Sequence, residues 1–172
     1  MSAAANHVLI RNLRIDADDY IWLADDAPLP ATGKLIVSYT RWHAEREALL
    51  ASKRVVGVKV PNTVDIATVL PEIGERPLLA LEFPSFADGR AYSQARLLAE
   101  RFQFQGELRA TGKAVVRDQI GFMARCGFTS FELRDGQDPA ACLAAVHEFS
   151  VPYQQAADHA QPVFLRRRAA KA

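Results

Sequence analysis

The chain has 172 residues, of which 49% are hydrophobic and 24% charged, enough for one domain around one substantial core. A net charge of +1 gives no global attraction to nucleic acid or to an acidic lipid surface, and no run approaches the ~18 apolar residues of a membrane span. Two cysteines, Cys126 and Cys142, make neither a disulfide framework nor a CxxC pair and cannot alone hold zinc or an iron–sulfur cluster, which predicts reduced thiols in the cytoplasm.

Residues 1–33 read as an N-terminal β arm and linker. Two β-like runs, 8–12 and 20–23, flank an acidic turn and predict an antiparallel arm or edge hairpin, with "APLPATG" as the connection. From 34 to 153 one pattern repeats five times: a short β-rich run, a turn signal, then a stretch of helical periodicity. The strands are LIVSY (35–39), VVGVKV (55–60), LLALEF (78–83), ELRAT (107–111) and FTSFEL (128–133), and helices are expected to begin near Trp42, Thr63, Gly89, Lys113 and Pro139. Asp138 before Pro139 is an N-cap followed by proline at the first helical position, Gly127 after FMARC is a helix-ending glycine, and Asn62 with Asp65 resembles a capping box. The helix from Lys113 to Cys126 places Val116, Ile120 and Met123 on one face, so it should cover a sheet. Residues 154–172 predict a last short apolar segment and a frayed basic tail, RRR, able to dock an acidic partner by salt-sensitive attraction.

Strands alternating with helices at this spacing imply an α/β fold with parallel pairing and right-handed crossovers. Four strands carry an ionisable residue near their C-terminal ends, Lys59, Glu82, Arg109 and Glu132, and sequential strand order would set these in a row of alternating sign. That order belongs to a partial TIM-barrel-like curl of five units. A flavodoxin-like doubly wound sheet, order 2-1-3-4-5, is the alternative and would separate Lys59 from Glu82.

In either architecture ligands gather where the parallel strands end and the β–α loops converge. That rim displays Arg41, Asn62, residues 84–90, 111–113 and Arg134, a set rich in cations and amide donors, so a small oxyanion is the expected guest, held by Lys59, Arg90, Arg109 and Arg134. In the turn Asp88-Gly89-Arg90, Asp88 is placed to cap a helix, and Arg90 opposes the helix dipole in the first turn. Arg90 therefore either pairs with Asp88, Glu82 or Asp118, or holds an anionic ligand. Tyr92 and Ser93 either donate to a ligand or serve as a core contact and a local cap. Metal chemistry has no support in the pattern: His7, His43, His147 and His159 lack ligand spacing, and no nucleotide-binding glycine motif is present. Cys126, at the end of its helix, has a dipole that disfavours a thiolate and an adjacent Arg125 that favours one.

Three motifs carry a family resemblance: FP-x-F-x-DGR-x-YS-x-A (83–95), GE-x-RA-x-G (106–112) and RCGF (125–128), with Asp118-Gln119 between the last two. They resemble a bacterial domain-of-unknown-function family whose genes accompany those of sulfite reductase and which is for that reason assigned a part in sulfite reduction. The likeness runs from about residue 34 to about 153. It implies a cytoplasmic accessory protein of sulfur assimilation that binds sulfite reductase or a small oxyanion. Sulfite reduction itself needs sirohaem and an iron–sulfur cluster, whose ligands this chain lacks, so no cofactor is expected. The residues also allow an enzyme on a small anionic substrate, with Glu82 or Glu132 as acid/base, or a homo-oligomer paired through a sheet edge.

Overall fold

The computed structural model describes residues 8–149 and 151–169. Three short strands open the chain, β1 (Leu9–Arg11), β2 (Arg14–Asp16) and β3 (Tyr20–Trp22). The five expected strands follow as β4 (Lys34–Ser38), β5 (Val56–Val60), β6 (Leu78–Phe83), β7 (Glu107–Gly112) and β8 (Ser130–Glu132). The helices between and after them are α1 (Tyr39–Ala51), α2 (Ile66–Ile73), α3 (Arg90–Arg96) with a π-turn continuing it (Leu97–Arg101), α4 (Arg117–Arg125), α5 (Pro139–Val146) and α6 (Val163–Ala169). All eight strands join one sheet in the order β2-β1-β8-β7-β6-β5-β4-β3. The central five are parallel and sequential, so the sheet curls into a half-barrel rather than adopting the doubly wound order.

Alternation along the strands decides what each face holds. Val37, Val58, Val60, Leu79, Leu81, Phe83, Ala110 and Phe131 meet Trp42, Leu49, Ile73, Ile120 and Met123 in one buried core, which places the helices together on the outer face. The inner face carries a second, smaller cluster in which Ile36, Leu78 and Ala80 are covered by Tyr20 and Trp22 of the arm. Strand β6 is apolar through most of its length because it is buried on both sides.

Local chemistry sets the helix ends. Asp138 accepts from the Ala140 N–H at 2.9 Å with Pro139 in the first turn, as the sequence predicts. The Asn62 reading is corrected: Asp65 caps α2, accepting from the Ala67 N–H at 3.0 Å, and Asn62 is buried in the preceding loop. Helix α4 starts four residues later than expected because 112–116 form a turn, with Val115 N–H donating to the Gly112 carbonyl. Its end is a Schellman motif: Gly127 has φ +101° and donates to the Ala124 carbonyl at 3.0 Å, while Phe128 donates to that of Met123 at 3.3 Å.

The arm departs from a simple hairpin of its two runs. β1 turns back through Asn12 and Leu13, both at positive φ, to pair with the unexpected β2, and its other edge pairs antiparallel with β8. The chain then crosses the inner face, and β3 pairs parallel with β4 at the opposite edge. Charge explains the crossing, because the acidic turn is held from three directions. Arg11 reaches Asp16 at 3.2 Å and Asp19 at 2.9 Å, Arg109 reaches Asp18 at 2.7 Å, and Lys34 reaches Asp19 at 2.5 Å. The C-terminal expectation is also corrected: the arginines lie in the helix α6, and of that segment residues 170–172 fall outside the described residues. Among the described residues no helix is long and apolar enough to cross a membrane.

The strap should loosen in acid. The hydrogen bond from Lys34, with Arg11 behind it, holds the Asp19 carboxyl down to about 2. A carboxylate depressed in the fold stabilises fully above its unfolded value of about 3.9, and that contribution fades as pH falls towards 2. The melting temperature of the wild type should therefore drop more steeply below about pH 5 than that of Asp19→Asn. Parallel curves would mean that Asp19 does not hold the strap.

Candidate functional site

Period-two alternation puts Lys59, Glu82, Arg109, Thr111 and Glu132 on the inner face, because their strand neighbours Val58, Leu81, Leu108, Ala110 and Phe131 belong to the outer core. The register then separates them into two levels. Lys59 lies opposite Ala80, Ala80 opposite Arg109 and Arg109 opposite Ser130, whereas Glu82 lies opposite Thr111. The level row of alternating charges expected from spacing is thus staggered, with Glu82 two residues nearer the rim than Arg109.

The stagger divides the charges by role. Lys59 donates diagonally from Nζ to Glu82 Oε1 at 2.7 Å, and both side chains keep 32% of their surface exposed at the mouth of the half-barrel. Arg109 is fully buried below them. Its Nε donates to Glu107 Oε1 at 2.9 Å, its Nη1 to Asp18 Oδ2 at 2.7 Å, and its guanidinium stacks 5.3 Å from the Tyr20 ring centroid. Ser130 Oγ donates to the same Glu107 oxygen at 2.6 Å, and Arg11 stands 3.3 Å from the other. Arg109 therefore ties the arm to the sheet and does not reach the rim. Glu132 is buried two residues beyond Ser130, the residue opposite Arg109, and lies opposite Leu9 of β1.

On the rim, the turn between β6 and α3 closes on itself. Arg90 grips Asp88 with Nε to Oδ1 at 3.0 Å and Nη2 to Oδ2 at 2.6 Å, and Arg90 together with Asn62 holds the Asp88 carboxyl far below the usual carboxylate range. Of the two readings of Arg90, the structure holds the ion pair with Asp88. Gly89 stands at the N-cap, where a Cβ would press to 3.3 Å from the Tyr92 ring. Tyr92 packs edge-on against Phe83 at 4.9 Å and donates from its hydroxyl to Gln119 Oε1 at 2.7 Å. Burial pushes its pKa up to about 12, so it remains a donor at neutral pH. Gln94 fastens α3 to the loop after β5, donating to the carbonyls of Pro61 and Val64 at 3.0 and 2.8 Å.

The remaining predicted residues are dispersed. Ser93 and Arg134 are exposed, and Asp118 faces solvent 3.6 Å from Arg117. Cys126 is half-buried, and desolvation pushes its thiol up against the opposing pull of Arg96 and Arg125, so it is not an activated thiolate. His43 meets Glu72 at 3.0 Å, His147 and His159 are exposed, and His7 lies outside the described residues. Among the described residues no group of three or more metal-binding side chains comes together. Sequence reasoning missed Glu107 and Asp18 as partners of Arg109, Arg11 as a second cation on the same two carboxylates, and Phe86, which stands 61% exposed on the rim turn.

The model of a bacterial protein family of unknown function, DUF934, matches residues 57–164, well over half of the chain. The chain belongs to this family. No curated protein and no solved structure matches it. The DUF934 segment starts inside β5 and ends inside α6, so it includes the Lys59–Glu82 pair, the rim turn and Arg109, but not the arm that supplies Asp18.

Proposed function

We propose that this DUF934 protein is an accessory protein of assimilatory sulfite reduction that docks on sulfite reductase through the C-terminal rim of its parallel strands. The family resemblance supplies the partner. The mode of binding rests on one observation: three of the four cations expected to hold an oxyanion are already engaged by carboxylates of the chain. Arg90 holds Asp88, Lys59 holds Glu82, and Arg109 is sealed below with Glu107 and Asp18. A small anion held by these three would have to displace a carboxylate, which leaves Arg134, among the described residues, as the one expected cation open to it. A protein surface need not, because Phe86 offers an exposed aromatic anchor with Lys113 and Arg134 exposed after the neighbouring strands.

Capture of the tagged protein from sulfate-grown cells, at low and at higher salt, tests the reading. Sulfite reductase should be recovered at low salt and lost at higher salt, and Phe86→Ala should weaken recovery by at least about tenfold, as truncation of an aromatic anchor does. Arg90→Ala, which breaks an exposed pair, should leave the melting temperature nearly unchanged. Recovery of the chain alone, or binding indifferent to Phe86→Ala, would sink the proposal.

A further inference from the structure

Two apolar features of the chain are left open to solvent, and their chemistries match. Helix α6 reads Val-Phe-Leu-Arg-Arg-Arg-Ala, has no buried residue, and leaves Phe164 51% exposed. Seven residues make a rod about 10 Å long, well short of the ~12–15 residues at which an isolated helix begins to hold in water. It needs a surface to pack on. The described residues give Arg166, Arg167 and Arg168 no carboxylate partner, so its last turn carries three unneutralised charges.

The matching surface lies between α4, α5 and the segment after it, where a cleft of about 650 Å³ is lined by Leu13, Phe122, Phe128, Val146, Phe149 and Pro152. Phe122 and Phe149 are 57% and 75% exposed, far more than a filled core contact leaves. The margin carries one carboxylate more than it has arginines. Asp118, Glu148 and Asp158 line it against Arg117 and Arg125, and Arg117 is shared loosely between Asp118 at 3.6 Å and Glu148 at 3.7 Å. One helix thus offers an apolar first turn and a basic last turn, and one cleft offers an apolar floor and a carboxylate in excess at its edge. The two do not meet within one chain. Val163 N–H is tied to the Pro152 carbonyl at 2.9 Å, and Pro152 is itself part of the cleft wall, which fixes the start of α6 at the margin rather than over the floor.

We propose that α6 of one copy seats in the α4–α5 cleft of a second copy, with Phe164 on the apolar floor and the arginines against Asp118 and Glu148. Two-fold symmetry makes the same exchange twice, so each copy gives one helix and receives one. The assembly is then a closed dimer, and the contact is independent of the docking proposed for the rim.

Sedimentation of the full chain over a wide concentration range tests this directly. Twice the chain mass is expected for the wild type, and the single chain mass for Phe164→Asp and for Phe122→Asp with circular dichroism unchanged; each alters an exposed side chain, so folding should survive. A second measurement distinguishes exchange from packing within one chain. In a Cys126→Ser background, an equal mixture of Phe149→Cys and Phe164→Cys chains should be joined by a short bis-maleimide into a product containing one of each. A wild type that stays monomeric, a dimer that persists in Phe164→Asp, or a mixture of the two singly substituted chains that yields no mixed bridge would each overturn the exchange.

Discussion

Replacing Arg109 with methionine is expected to lower stability by about 3 kcal/mol, the lower end of the 3–5 kcal/mol range for breaking a buried ion pair by removing one partner. For a chain of this size that is a fall of roughly 6–12 °C in melting temperature. The guanidinium is fully buried and touches Glu107, Asp18 and the Tyr20 ring, so its loss leaves two carboxylates without their main counter-charge at the junction of arm and sheet. The lower end applies because neither carboxylate is wholly abandoned. Arg11 remains 3.3 Å from Glu107 and 3.7 Å from Asp18, and Ser130 still donates to Glu107 at 2.6 Å. Adding Asp18→Asn to Arg109→Met should therefore restore part of the loss, since one of the stranded charges is gone. Chemical denaturation of the two single variants and the double variant measures the coupling. A cost below about 1 kcal/mol for Arg109→Met would mean that water screens the network as it does an exposed pair.

Much of the half-barrel was legible because its signals are local. The alternation of β-branched runs with helical segments, the Asp138-Pro139 start of α5 and the glycine after α4 each depend on residues within a few positions of one another. The same units left strand order between a sequential curl and the doubly wound sheet, since right-handed crossovers allow both, and the structure takes the sequential order. The level of the charged side chains did not follow. Separation along the chain counts residues in loops and helices as well as in strands, so it does not fix register: Lys59 lies opposite Ala80 and not Glu82. Pairing thus set Arg109 opposite Ala80 rather than Glu82. The path of the arm was hidden for a related reason: what draws its acidic turn across the sheet is Arg109, which is 91 residues from Asp18. Phe86 was equally silent, because the pattern that tells inside from outside stops at Pro84, where β6 gives way to the turn.

Gly112→Ala is expected to cost between about 2 and 6 kcal/mol, because it combines backbone strain of about 1–3 kcal/mol with an overpacking clash of about 1–3 kcal/mol. Gly112 closes the GE-x-RA-x-G motif at the end of β7 with φ +102°, a region that side chains rarely adopt. A Cβ there would run into the Phe83 carbonyl oxygen, 3.0 Å from its carbonyl carbon and 3.2 Å from the Phe83 nitrogen. That backbone has little freedom to retreat, since the Phe83 carbonyl also accepts from the Lys113 N–H at 2.8 Å. Gly136 supplies the control: it has φ +80° with no atom within 4 Å of an added Cβ, so Gly136→Ala carries the strain without the clash. The excess cost of Gly112→Ala over Gly136→Ala, read from urea unfolding of both, isolates the close approach of β6 and β7. The same approach aligns the turn bearing Phe86 and Arg90 with the loop bearing Lys113. Gly112→Ala should therefore also weaken partner capture at temperatures where it is still folded, while Gly136→Ala should not. Equal costs would mean that the Phe83 backbone yields, and the two loops would then not be held together as one rim.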